Sequence, residues 1–170
     1  MNATPGRIAA TMPEMSPATA LLFLREDELR LGYEQLFLAF RDLDAEADEL
    51  LAGHGLGRGH GRAIHFIGRA RQSTVSDLQA TLGITLQSLG RLVRELTERD
   101  LVVQHRGTMD RRQRLLSLTE AGQALEKRIW ECQRGRIARA YRESGPQSVD
   151  GFRRVLTALA DRRQPRAEGE

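Results

Sequence analysis

Lysine and cysteine are almost missing from this chain. Of 26 basic residues only Lys127 is a lysine, and Cys132 is the single cysteine among 170 residues. One cysteine excludes an intramolecular disulfide, which agrees with a reducing compartment. Cys132 falls at helical spacing with Leu125 and Ile129, so it reads as a small apolar core residue rather than an oxidant sensor. The near-total preference for arginine follows from genome base composition and carries no functional weight. Long hydrophobic runs are missing too: no stretch approaches the ~20 apolar residues of a membrane helix. The brief apolar run at 18–24 lacks a charged leader region and a small-residue cleavage site, so no signal peptide is expected. These absences predict a soluble, cytoplasmic protein with no membrane partner. Net charge is only +3. A nucleic-acid footprint must therefore come from where the arginines sit and not from their total.

Enzyme signatures are also lacking. No nucleophile–base pair or carboxylate constellation stands out. The alternating glycines of 53–61 superficially resemble a phosphate cradle, but no strand precedes them and no G-x-x-x-x-G-K-[ST] motif is present. They read as a flexible loop between helices, followed by a short helix over 62–71 with Ile64 and Ile67 turned inward. His54, His60 and His65 lie close together in sequence, yet no two share an i, i+4 helix face and no cysteine is near, so no metal site or cofactor is predicted.

What is present is concentrated in residues 73–119. Val75, Leu78 and Leu82, then Leu89, Leu92, Val93 and Leu96, recur at helical spacing. Between the two runs, Gly83 can end one helix, Ile84 can plug the corner and Thr85 can cap the next. Ala80 is small where two such helices would cross. This is the pattern of a helix-turn-helix. With the second helix's apolar residues inward, Gln87, Ser88, Arg91 and Arg94 face outward beside Thr85. These side chains suit base edges and phosphates: arginine for guanine, glutamine for adenine, serine for either. Recognition helices read bases mainly with their N-terminal residues. Ser73 and Thr74 open the stretch and join the candidate DNA contacts. A hairpin follows, with strands over 101–106 and 114–118 and a polar tip containing Asp110, Arg111 and Arg112, with Arg114 at its far side. Asp110 is spaced to pair with Arg112 and hold it extended, as a minor-groove probe requires.

Residues 110–122, with Asp110, Arg112, Leu116, Leu118, Thr119 and Gly122, resemble the D-x-R-x-x-x-L-x-L-T-x-x-G signature of the MarR family of bacterial winged-helix transcription regulators. The likeness covers roughly 24–163, and Ile84 to Leu89 are similar to the PetP-like branch of that family. Leu86 departs from the pattern, which often has a polar or basic residue there. The resemblance implies a mainly α fold with a small β-hairpin wing, a winged helix-turn-helix with N- and C-terminal dimerisation helices. It places the wing aspartate and arginine on Asp110 and Arg112, and implies an effector pocket that Phe40, Arg41 and His65 could line.

The organisation expected is a disordered arm over 1–19, a helical dimerisation region over 20–52 and 119–163, a DNA-binding winged helix over 53–118 and a frayed tail over 164–170. The helix over 21–51 carries more apolar surface than a small winged helix can cover, and a second copy would cover it. The C-terminal part reads as a helix capped by Thr119, interrupted at Gly135, broken at 144–146 and resumed over 149–159. The implied partners are double-stranded DNA, a second copy of the chain and a small-molecule effector. The function implied is that of a homodimeric repressor on a pseudo-palindromic operator. The alternative is a winged-helix protein-interaction module or a metal- or haem-binding sensor.

Overall fold

The computed structural model describes residues 19–70, 73–107 and 113–160. They fall into two compact units divided between Arg41 and Asp42. The expected arm over 1–19, apart from Thr19, and the tail over 164–170 lie outside the described residues.

The first unit begins with a short 3-10 helix, Thr19–Leu24, followed by α1, Glu26–Gly53, which runs past the unit boundary. The helix predicted from 21 therefore starts at Glu26. Three acidic residues, Glu26, Asp27 and Glu28, fill its first turn, where they complement the positive end of the helix dipole. Within this chain most of the described apolar side chains of that unit stay exposed, among them Phe23, Leu29, Tyr33, Phe37 and Phe40, with Leu36 half-buried.

The second unit continues with α2 (Arg58–Arg69), β1 (Ser73–Thr74), α3 (Val75–Leu82), α4 (Leu86–Glu98), β2 (Val102–Arg106), β3 (Arg114–Leu118) and α5 (Glu120–Ala160). Its core is one cluster. Leu51 of α1, Ile64 of α2, Leu78 of α3, Leu89 and Leu96 of α4, Val102 of β2 and Leu116 of β3 are all fully buried. Each such side chain contributes about 1.5–3 kcal/mol of transfer free energy. Among the described residues no helix is long and apolar enough to cross a membrane.

The glycine-rich segment and the wing both depart from the sequence expectation. The glycine-rich segment is a loop only as far as Gly57; α2 starts at Arg58 and contains Gly59, His60 and Gly61. Of the alternating glycines in α2, the tight position is Gly61. A Cβ on Gly61 would lie 2.6 Å from Leu51 Cδ1, so Gly61 lets α2 lie close against α1. The wing, in turn, is a three-stranded antiparallel sheet in the order β1-β3-β2. Ser73 pairs with Leu116 and Thr74 with Leu115, a strand too short for alternation to announce.

The α3–turn–α4 pair follows its sequence cues. Thr74 Oγ1 accepts the Asp77 amide at 3.0 Å to start α3. Gly83 adopts φ 64°, ψ 28° to end it, a left-handed conformation that glycine enters without steric penalty. Ala80 is exposed, so its small size is not explained by a helix crossing. At the start of α5, Thr119 Oγ1 donates to the Asp100 carbonyl at 2.6 Å and accepts the Gly122 amide at 3.0 Å. Gly135 does not interrupt α5, whereas Gly145 (φ 75°, ψ 166°), followed by Pro146, does. The element is thus two helices, 120–144 and 146–160.

Candidate nucleic-acid interface

Helix α4 presents the surface the sequence predicts. Thr85 is its N-cap: Oγ1 accepts the Ser88 amide at 3.2 Å and donates to Ser88 Oγ at 2.9 Å. Leu89, Val93 and Leu96 point inward. The opposite face carries a groove of about 450 Å³ lined by Gln87, Ser88, Arg91, Arg94, Glu95 and Glu98. Leu86 stands at the first helical position with 61 % of its surface exposed.

Arg91 is not independent. Its Nε donates to Glu95 Oε1 at 2.8 Å, and Glu95 Oε2 meets His60 Nε2 of α2, also at 2.8 Å. These contacts hold the Glu95 carboxyl below its ordinary value, chiefly through the Arg91 hydrogen bond and then through His60. The reciprocal bond raises the Arg91 guanidinium. His60 and Glu95 lie 35 positions apart, so helical periodicity carried no signal for the pair.

The remaining candidates separate. Ser73 is 4 % exposed and sits in β1 rather than on the surface. Thr74 caps α3. Arg114 is exposed at the start of β3, directly opposite Arg106 of β2. Arg106 was not anticipated, and only the strand register reveals it. Asp110, Arg111 and Arg112 lie outside the described residues, so their expected pairing has no structural counterpart here.

The three neighbouring histidines turn to different partners. His54 Nδ1 meets the Leu50 carbonyl at 2.9 Å, His60 bridges Gly57 and Glu95, and His65 Nδ1 meets Glu126 Oε1 at 3.1 Å. His65 also stacks on Trp130, with ring centroids 6.1 Å apart. Phe40 and Arg41 belong to the first unit and His65 to the second. Cys132 is half-buried.

The second unit is anchored by ion pairs at the start of α2. Arg58 forms a bidentate pair with Asp48, and Arg62 and Arg58 lie 3.6 and 3.7 Å from Asp44. Asp44 also accepts from Gln133 Nε2 at 3.0 Å. Arg136 donates to the Asp42 carbonyl. α1, α2 and α5 are thereby tied together where α2 begins.

Comparison with known proteins agrees with this geometry. The MarR family profile matches residues 54–113. The HTH-type transcriptional regulator PetP of Rhodobacter capsulatus is 48% identical over 141 residues, 83% of this chain and 85% of PetP. Among solved structures, NadR in complex with 4-hydroxyphenylacetate superposes with a TM-score of 0.66 at 23% identity, covering 75% of this chain and 90% of NadR. Streptococcus pneumoniae FabT in complex with DNA gives a TM-score of 0.66 at 19% identity, covering 77% and 94%. The winged-helix architecture and the long PetP match lead to one conclusion: the chain belongs to the MarR family and is a transcriptional regulator rather than an enzyme.

Proposed function

We propose that the protein is a cytoplasmic homodimer that binds a pseudo-palindromic operator in double-stranded DNA and acts as a repressor released by a small-molecule effector. The observation that carries this reading is the outward row on capped α4: Thr85, Gln87, Ser88, Arg91 and Arg94. Two such helices in a dimer enter successive major grooves about one helical turn apart. Arg106 and Arg114 supply phosphate contacts at the base of the wing, and Arg111 and Arg112, with Asp110 orienting Arg112, probe the flanking minor groove. FabT, of the same fold, is bound to DNA, which supports this assignment.

Exposed apolar residues support the dimer. In the first unit Phe37 is 60% exposed, and in the second Leu159 is 67% exposed. Such side chains in number mark a surface meant for burial. The bound 4-hydroxyphenylacetate of NadR supports an effector, and we assign His65, between Glu126 and Trp130, as the residue through which it acts. Phe40 and Arg41 remain the candidates from the first unit.

The test is a titration of the intact protein with DNA from upstream of its own gene, and with duplexes selected from a randomised library, at several salt concentrations. Specific binding at one dimer per site, with affinity falling steeply as salt rises, is the expected result. Binding no tighter than to random duplex in both experiments would refute the operator reading.

A further inference from the structure

The contacts around Glu95 go further than a generic polar helix face. His60 Nδ1 accepts the Gly57 amide at 3.1 Å, which fixes the imidazole hydrogen on Nε2. That hydrogen is donated to Glu95 Oε2, while Glu95 Oε1 receives Arg91 Nε. Each carboxylate oxygen thus has one defined partner. The His60 side chain is only 17% exposed, whereas that of Arg91 is 80% exposed. The anchor is inside and the arginine outside. Arg58, the first residue of the same helix as His60, is gripped by Asp48 and Asp44, so the anchor itself stands on a fixed support.

We propose that Glu95, held by His60, is a positioning residue that sets the base preference of Arg91. The inference rests on the reading of α4 as the base-contacting helix. A guanidinium bonded through Nε is tied back along the helix with its two terminal Nη groups pointing away. That end-on fork is what a guanine O6/N7 pair accepts bidentately. The same carboxylate neutralises Arg91 locally, which weakens its attraction to any phosphate that passes. Glu95 therefore favours reading over indiscriminate binding. It raises the ratio of specific to non-specific affinity while lowering the non-specific term.

The experiment uses the full-length protein, a duplex selected by the wild type from a randomised library, its single-base-pair variants, and a random duplex as the non-specific probe. Arg91→Ala should lose preference for one base pair in each half-site by about tenfold. Glu95→Asp keeps the charge but is one methylene too short to meet both partners, and should lose the same preference with non-specific affinity unchanged. Glu95→Gln should lose the preference and bind random duplex about two- to fivefold more tightly, with a steeper salt dependence.

If Arg91→Ala relaxes the preference while both Glu95 variants retain it, Arg91 reads DNA without being positioned and the inference is wrong. If Arg91→Ala leaves the preference intact, the base-reading role of Arg91 fails and takes the inference with it. A parallel fall in specific and non-specific affinity in the Glu95 variants would mean damage to α4 and would also overturn it.

Discussion

Gly122→Ala is a strict test of how α5 is seated. A Cβ at this position would lie 2.1 Å from the Leu101 carbonyl oxygen, 3.0 Å from its carbon and 3.3 Å from Leu118 Cβ. Real Cβ atoms do not approach below 3.0 Å, so α5 and the Leu101 turn before β2 must part by roughly 1 Å, an overpacking strain of about 1–3 kcal/mol. The Leu101 carbonyl also accepts the Thr119 amide at 3.1 Å, and disturbing that bond costs about 1 kcal/mol more. Alanine's higher helix propensity returns about 1 kcal/mol, leaving a net destabilisation of about 1–3 kcal/mol.

Gly135→Ala is the internal control. It lies in the same element, is exposed and has nothing within 4 Å of the added carbon, so only the propensity gain of about 1 kcal/mol remains. Thermal melting at one fixed protein concentration should show Gly122→Ala lowered by about 2–12 °C and Gly135→Ala raised by about 2–4 °C. A Gly122→Ala variant as stable as the wild type would show that the carbonyl contact does not constrain the start of α5.

Four further outcomes follow from the same structure. Ile64→Ala, which empties a fully buried site, should cost about 2–5 kcal/mol in denaturant unfolding. Thr85→Ala removes the α4 cap and should cost about 1 kcal/mol, read in the same assay. Because the Arg91 hydrogen bond, and then His60, hold the Glu95 carboxyl below its ordinary value in the folded protein, the stability it provides is complete above its unfolded value and lost as pH falls through the folded one. The stability gap between wild type and Glu95→Gln should therefore be full above about pH 5 and close as acid is added below about pH 4. In DNA titrations, Arg112→Ala should lower affinity with only a modest loss of base preference and reduce the salt slope by about one, whereas Gln87→Ala should cost about 1–3 kcal/mol at one base position.

The helix-turn-helix was legible because its determinants are local. Leu89, Val93 and Leu96 repeat within one helix, and Gly83 and Thr85 mark its borders by their own backbone chemistry. The start of α2 was not legible, because alternating glycines signal a loop unless it is known that Leu51 lies against Gly61. β1 was missed because two residues cannot show a period. The Arg91–Glu95–His60 chain depends on how α2 meets α4, and a single sequence does not contain that meeting. Ser73 stands beside the motif in sequence, and its burial in the sheet shows how little adjacency in sequence says about exposure.

The register that sets Arg106 directly across from Arg114 has a consequence for how the protein responds to its ionic surroundings. Like charges directly opposed on neighbouring strands disfavour the pairing that brings them together, and both arginines are exposed, so mobile ions can shield them. Added salt should therefore tighten the free wing while loosening the grip of the same arginines on phosphate. Folding and binding would then answer to ionic strength with opposite signs at a single pair of residues. Under the proposed phosphate contact, a polyanion laid across that pair would do locally what salt does in bulk, and would favour the strand pairing that the two charges oppose.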